Sequence, residues 1–139
     1  MYERQDDPAW PLLLDRDLFT VWAVYSFQGV IDNGGFEFFF ERDWPEGVSY
    51  AAFRNALRAI GAHEVADKLQ AAENLFPFPA PERHLESRRE FLAGPDSSEA
   101  LRSLEKLSVE AIREGPFTYH KLSQFVRRRL LGPNVENGR

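Results

Sequence analysis

In residues 30–40, VIDNGGFEFFF, two strongly apolar segments meet at an Asn-Gly-Gly joint. Upstream of it, LFTVWAVYSFQGVI (18–31) is apolar nearly all round a helical wheel. Leu18, Val21, Trp22 and Tyr25 share one side, while Val24, Phe27, Val30 and Ile31 cover much of the other. A helix apolar on every side belongs at the centre of a domain. Asn33-Gly34-Gly35 then interrupts it, because Asn33 or either glycine can take left-handed backbone angles at little cost and end the helix. Beyond the joint, Phe36, Phe39 and Phe40 fall within about 100° of one another on a helical wheel, a core-facing stripe, and Phe38 points the opposite way. Trp44-Pro45 ends this short aromatic helix, since the residue before a proline disfavours helical angles.

The same periodicity continues outward from that joint. Asp15 or Asp17 can cap the central helix, and Ser49 the helix that buries Phe53, Ala56, Leu57 and Ile60. Gly61 closes it, and Val65, Leu69, Ala72 and Phe76 repeat the stripe. The run PFPAP (77–81) is a linker, with Pro81 suited to open the polar helix that follows. Asp96-Ser97-Ser98-Glu99 has the pattern of a capping box before Leu101, Leu104, Leu107, Ala111 and Ile112. After Gly115-Pro116, Thr118 is the expected cap of a last helix carrying Tyr119, Leu122, Phe125, Val126 and Leu130. No alternating strand pattern of useful length occurs. The expectation is all-α: a compact single-domain bundle of about six or seven helices, with an N-terminal arm at 1–14, the helical domain at 15–131 and a flexible tail at 132–139.

Composition narrows the function classes. The chain of 139 residues has no cysteine, which removes disulfides, thiol nucleophiles and thiolate metal sites together. No apolar run approaches the roughly 20 residues of a membrane span, and the start lacks a secretory pattern, so a cytoplasmic protein is expected. Charge is uneven: residues 1–50 carry ten acids and three bases, whereas residues 116–139 carry one acid and five bases. That partition suggests an acidic face for a basic partner, or a basic C-terminal helix that meets the acidic arm of a second subunit.

Chemistry is harder to find. His63 and Asp67 stand at i and i+4, a spacing two metal ligands can use, yet no third ligand accompanies them. Glu86 and Glu90 are surrounded by Arg83, Arg88 and Arg89, which reads as a solvated charged face. The N–H groups of Gly34 and Gly35 could cradle an anion, but Asp32, Glu37 and Glu41 would repel it. Arg127-Arg128-Arg129 is the one basic cluster, with one or two arginines expected in solvent and the third packing its stem. With a pI near 5.2, direct nucleic-acid binding is not expected. No cofactor and no metal is expected.

Two linked blocks carry a family resemblance. Asn33-Gly34-Gly35-Phe36 followed by Phe39-Phe40, then Ala56-Leu57 with Ile60-Gly61-Ala62, resembles the DNA-mimic-protein-type domain, widespread in bacteria. The match runs from about Trp22 to Phe76, with Asp32 where asparagine is common and Phe38 where a polar or smaller residue is expected. The resemblance implies a compact helical domain, often dimeric, whose eponymous member imitates the charge pattern of DNA. The 22 acids here are offset by 17 bases, so only the first fifty residues are acidic enough for such mimicry.

The functional expectation is a non-catalytic protein-interaction module: a homodimer, or an acidic inhibitor or DNA mimic acting on a basic protein, a toxin nuclease included. Glu37, Phe38, Glu41, Asp43 and Trp44 are the expected contacts, since they combine acid with aromatic surface. The alternative is a small-molecule-binding protein or enzyme with a pocket near Asp32–Gly35 and His63.

Overall fold

The structure is a computed structural model that describes residues 14–45 and 48–132. Among the described residues six α-helices form a compact all-α fold: α1 (Arg16–Glu41), α2 (Tyr50–Ala59), α3 (His63–Glu73), α4 (Leu85–Ala93), α5 (Ser98–Arg113) and α6 (Gly115–Val126). Short 3₁₀ turns at Pro81–Arg83 and Pro95–Ser97 lead into α4 and α5, and a π turn at Arg127–Leu131 follows α6. Most of the expected N-terminal arm and C-terminal tail, Trp10 among them, lies outside the described residues.

The central helix forms as its pattern predicts. Asp15 is the cap: its Oδ1 accepts the Leu18 N–H at 2.9 Å. Such a cap is worth about 1 kcal/mol. Helix α1 then packs against α2, α4, α5 and α6, and Ala23, Val24, Phe27 and Ile31 are wholly buried. Leu18 and Tyr25 depart from the all-round pattern and stay exposed.

The break falls at one residue. Gly35 takes φ 70° and ψ −166°, so α1 is two helices joined by a kink. Asn33 stays helical and donates from Nδ2 to the Gly29 carbonyl at 2.7 Å. Gly34 serves a different purpose: a Cβ there would stand 2.5 Å from the Phe38 Cβ, so its absence lets Phe38 fold back over the helix end.

Past the kink, Phe36, Phe39 and Phe40 are fully buried. Phe39 is the hub of the core, its ring centroid 5.3–5.4 Å from those of Phe27, Phe40, Trp44, Tyr50 and Phe53. Each such ring pair adds about 1 kcal/mol beyond area burial.

Helix α2 opens on Ser49, which accepts the Ala52 N–H at 3.1 Å. It closes in a Schellman motif at Ile60-Gly61. Gly61 sits at φ +90°, its N–H bonds the Arg58 carbonyl at 3.0 Å, and the Ala62 N–H bonds the Leu57 carbonyl at 2.8 Å. The sharp reversal lays α3 beside α2, where Arg54 pairs with the nearly buried Glu73. Burial pushes the Glu73 carboxyl above its usual range against the opposing pull of Arg54.

Three local expectations change. The capping box with Asp96 as cap does not form: Asp96 lies inside the 3₁₀ turn Pro95–Ser97, α5 starts at Ser98 without a side-chain cap, and Ser97 donates to the Gly94 carbonyl at 2.7 Å. Helix α6 begins at Gly115 with Pro116 in its first turn, and Thr118 lies inside it, bonding the Glu114 carbonyl at 3.2 Å. A Cβ on Gly115 would stand 3.2 Å from the Gln28 Nε2, so the glycine permits the close approach of α6 to α1. Finally, Arg127, Arg128 and Arg129 are all exposed, with Arg129 leaning over Phe125. Arg129 meets Asp17 of the same chain at 3.7 Å, so one C-terminal cation finds an N-terminal acid without a second subunit.

Candidate functional site

The short helix after the kink is clamped at both ends by the rest of the fold. At its start, the Phe36 N–H donates to the Ser108 Oγ of α5 at 2.9 Å, and that hydroxyl donates to the Leu104 carbonyl at 2.7 Å. Ser108 therefore stands where an anion bound by the turn would have to sit. At its end, helix carbonyls lack intrahelical partners. Two arginines of α4 supply them. Arg88 donates from Nε to the Phe40 carbonyl at 2.9 Å and from Nη2 to that of Arg42 at 3.1 Å. Arg89 donates to the Glu41 carbonyl at 3.2 Å.

Arg88 corrects the reading of Arg83, Arg88 and Arg89 as one solvated face. It is 1% exposed and also bonds the Pro81 carbonyl at 2.6 Å. Buried cations require partners, and cations are favoured at helix C-termini. The signal was available: Leu85, Arg88 and Leu92 stand at i, i+3 and i+7, which puts the arginine in the apolar stripe of α4. Ser108 offered no comparable signal, because nothing in its own helix marks a serine that caps a segment 72 residues away.

The five expected contact residues divide between the two sides of this clamped helix. Glu37 and Glu41 open on a depression shared with Arg89 and Leu92 of α4. Both carboxylates are exposed, and neither forms an ion pair among the described residues. Phe38, Asp43 and Trp44 line an open groove of about 580 Å³ on the other side, together with Trp22, Tyr25 and Gly29 of α1. Phe38 is 40% exposed and Tyr25 65%. Trp44 is half-buried, packing on Phe53 at 4.7 Å and Phe39 at 5.3 Å, so it belongs as much to the core as to the surface.

The alternative pocket residues are not brought together. Asp32 faces α6: it accepts from Gln28 Nε2 at 2.8 Å and from the Tyr119 hydroxyl at 3.4 Å. Burial, reinforced by the Asp32 charge, pushes the Tyr119 hydroxyl above its usual range. His63 stands exposed at the start of α3, and Asp67 is engaged by Arg58 at 2.7 Å. Among the described residues, no group of three His, Cys, Asp or Glu side chains could hold a metal ion.

A family model for DMP19-like proteins matches residues 13–129, nearly the whole described chain. The chain belongs to the DMP19-like protein family. This is a family of DNA-mimic proteins, the family to which the sequence resemblance points. No curated protein and no solved structure matches the chain. The residues matched in this DMP19-like chain take in all six helices up to Arg129 of the π turn, and with them the clamped helix and both of its flanking surfaces. No helix among the described residues is long and apolar enough to cross a membrane.

Proposed function

We propose that this DMP19-like chain is a non-catalytic interaction module that offers carboxylates to the basic surface of a DNA-binding protein. Membership of a DNA-mimic family over residues 13–129 carries the reading. The placement of Glu37 and Glu41 supports it. They are unpaired carboxylates on a helix held at one end by Ser108 and at the other by Arg88 and Arg89. A partner meets carboxylates carried on a backbone segment already fixed in position, which spares the cost of ordering that segment on binding. Residues four apart on a helix are separated by about 6 Å along its axis. Two nucleotide steps of one B-DNA strand advance about 6.8 Å. The mimicry is local, because over the whole chain acids and bases nearly balance.

The test is release of labelled duplex DNA from a panel of purified basic DNA-binding proteins as this chain is added. Release from at least one panel member, weakened by salt as a charge-driven contact requires, supports the reading. DNA that stays bound to every member at all concentrations of the chain rejects it.

A further inference from the structure

The groove beside Phe38 has a composition that the acidic helix alone does not explain. Its lining includes the exposed rings of Tyr25 and Phe38, and with them Gly29. A mid-helix glycine costs about 1 kcal/mol relative to alanine. Nothing lies within 4 Å of where a Gly29 Cβ would stand, so no internal packing calls for its absence. What the missing side chain does is deepen the groove. Asp43 also lines the groove; its carboxylate is 67% exposed and, among the described residues, meets only the far end of Arg88, at 3.9 Å. Asn33 has its amide nitrogen committed to the Gly29 carbonyl, which turns its oxygen outward as an acceptor. Aromatic faces with a carboxylate at one end suit a planar cation.

The fold already contains one such contact. The guanidinium of Arg42 lies 4.7 Å from the ring centroid of Trp44, in the same groove. It covers Trp44, Tyr25 meets the Tyr119 ring edge-on at 6.4 Å, and Phe38 has no ring or cation contact among the described residues.

We infer that this groove is a slot for an arginine side chain of the basic partner, stacked between Tyr25 and Phe38 with its guanidinium directed to Asp43. The inference rests on the proposed function and adds to it a side-chain preference. The slot and the Glu37–Glu41 carboxylates lie on opposite flanks of one short helix, so a basic segment that crosses the helix touches both. Arg42 competes for the slot rather than serving it. An anionic partner would use Arg42 as a contact, so the Arg42 variant reports the sign of the occupant.

The test compares labelled octa-arginine and octalysine peptides by fluorescence anisotropy, with tryptophan emission as a second readout because Trp22 and Trp44 line the groove. The wild-type chain should bind the arginine peptide about fivefold more tightly than the lysine peptide, the range of one or two cation–π contacts. Tyr25→Ala and Asp43→Asn should each erase that preference while leaving the fold intact, since both residues are largely exposed. Arg42→Ala should tighten arginine-peptide binding. Glu37→Gln with Glu41→Gln should weaken both peptides alike and keep the preference. Equal affinity for the two peptides that depends on Glu37 and Glu41 overturns the slot and leaves the proposed function standing. An arginine preference that survives Tyr25→Ala, or weaker binding in Arg42→Ala, also overturns the slot. Failure of both peptides to bind overturns the slot and the acidic contact together.

Discussion

The backbone N–H of Phe36 and the hydroxyl of Ser108, 72 residues apart in sequence, lie 2.9 Å apart across the interface of α1 and α5. This one bond caps a helix from outside its own segment and fixes the angle at which the aromatic stripe enters the core. Gly35 makes it possible, since a Cβ there would stand 2.7 Å from the Ser108 oxygen.

Gly35→Ala is therefore expected to destabilise the chain by more than the roughly 1–3 kcal/mol of this glycine-only backbone region alone. Ser108→Ala should cost about 1 kcal/mol, as a lost cap does. In Gly35→Ala/Ser108→Ala the oxygen clash is gone although the residue 108 Cβ, 2.8 Å from the new methyl group, remains, and the Phe36–Ser108 bond is lost only once, so the double variant should lose less than the sum of the two singles. Urea unfolding of the three variants measures this, and strict additivity would mean that Gly35 and Ser108 do not act on one another.

Arg88 should be the most sensitive charged residue. Arg88→Ala leaves the carbonyls of Phe40, Pro81 and Arg42 without their buried donor, with a loss of about 3 kcal/mol expected. Arg89→Ala removes two exposed contacts, to the Glu41 carbonyl and to Glu86, and should cost under about 1 kcal/mol. Denaturant midpoints that place the two variants together would contradict the burial asymmetry.

Tyr50 gives a pH prediction. Its ring is buried and its hydroxyl has no partner among the described residues. Burial raises the hydroxyl well above its ordinary value of 10.0, so the folded chain resists ionising it. Below pH 10 the group is neutral in both states and the stability is intact. As the pH rises above 10 the unfolded chain ionises first, and stability falls. Tyr119 shifts in the same direction and adds to the effect. Tyr50→Phe should flatten this alkaline loss and be neutral to about 1 kcal/mol stabilising at pH 7, because an unpaired buried hydroxyl disappears. Thermal melts at neutral and alkaline pH test both halves.

Gly61→Ala should cost about 1–2 kcal/mol, since the Schellman turn requires φ +90° at that position. Gly29→Ala lies in open space within a helix and should be neutral or up to about 1 kcal/mol stabilising. A destabilised Gly29→Ala would show an internal packing role for that glycine.

The helices and the core were legible because they rest on periodicity. The stripe of Phe36, Phe39 and Phe40, the outward Phe38 and the glycine joint all follow from the spacing of residues along one segment. What the sequence concealed was long-range. Ser108 and Arg88 act on a helix far from them in the chain, and a polar residue's distant partner leaves no periodic trace. The capping box at Asp96–Glu99 misleads for a local reason: Pro95 opens a 3₁₀ turn that takes in Asp96, so the expected cap stands before the residue at which α5 begins. The contact residues were chosen by composition, and composition does not distinguish the two flanks of a helix. Glu37 and Glu41 therefore part from Phe38, Asp43 and Trp44.

The most direct test is the DNA-release titration with charge-reversed variants. Wild type and a Glu64→Lys/Glu99→Lys control, whose exposed acids lie on α3 and α5, should release DNA from the responsive protein equally well. Glu37→Lys/Glu41→Lys, folded by circular dichroism, should fail to release it. Equal release by Glu37→Lys/Glu41→Lys and wild type would contradict the claim that the clamped helix carries the contact.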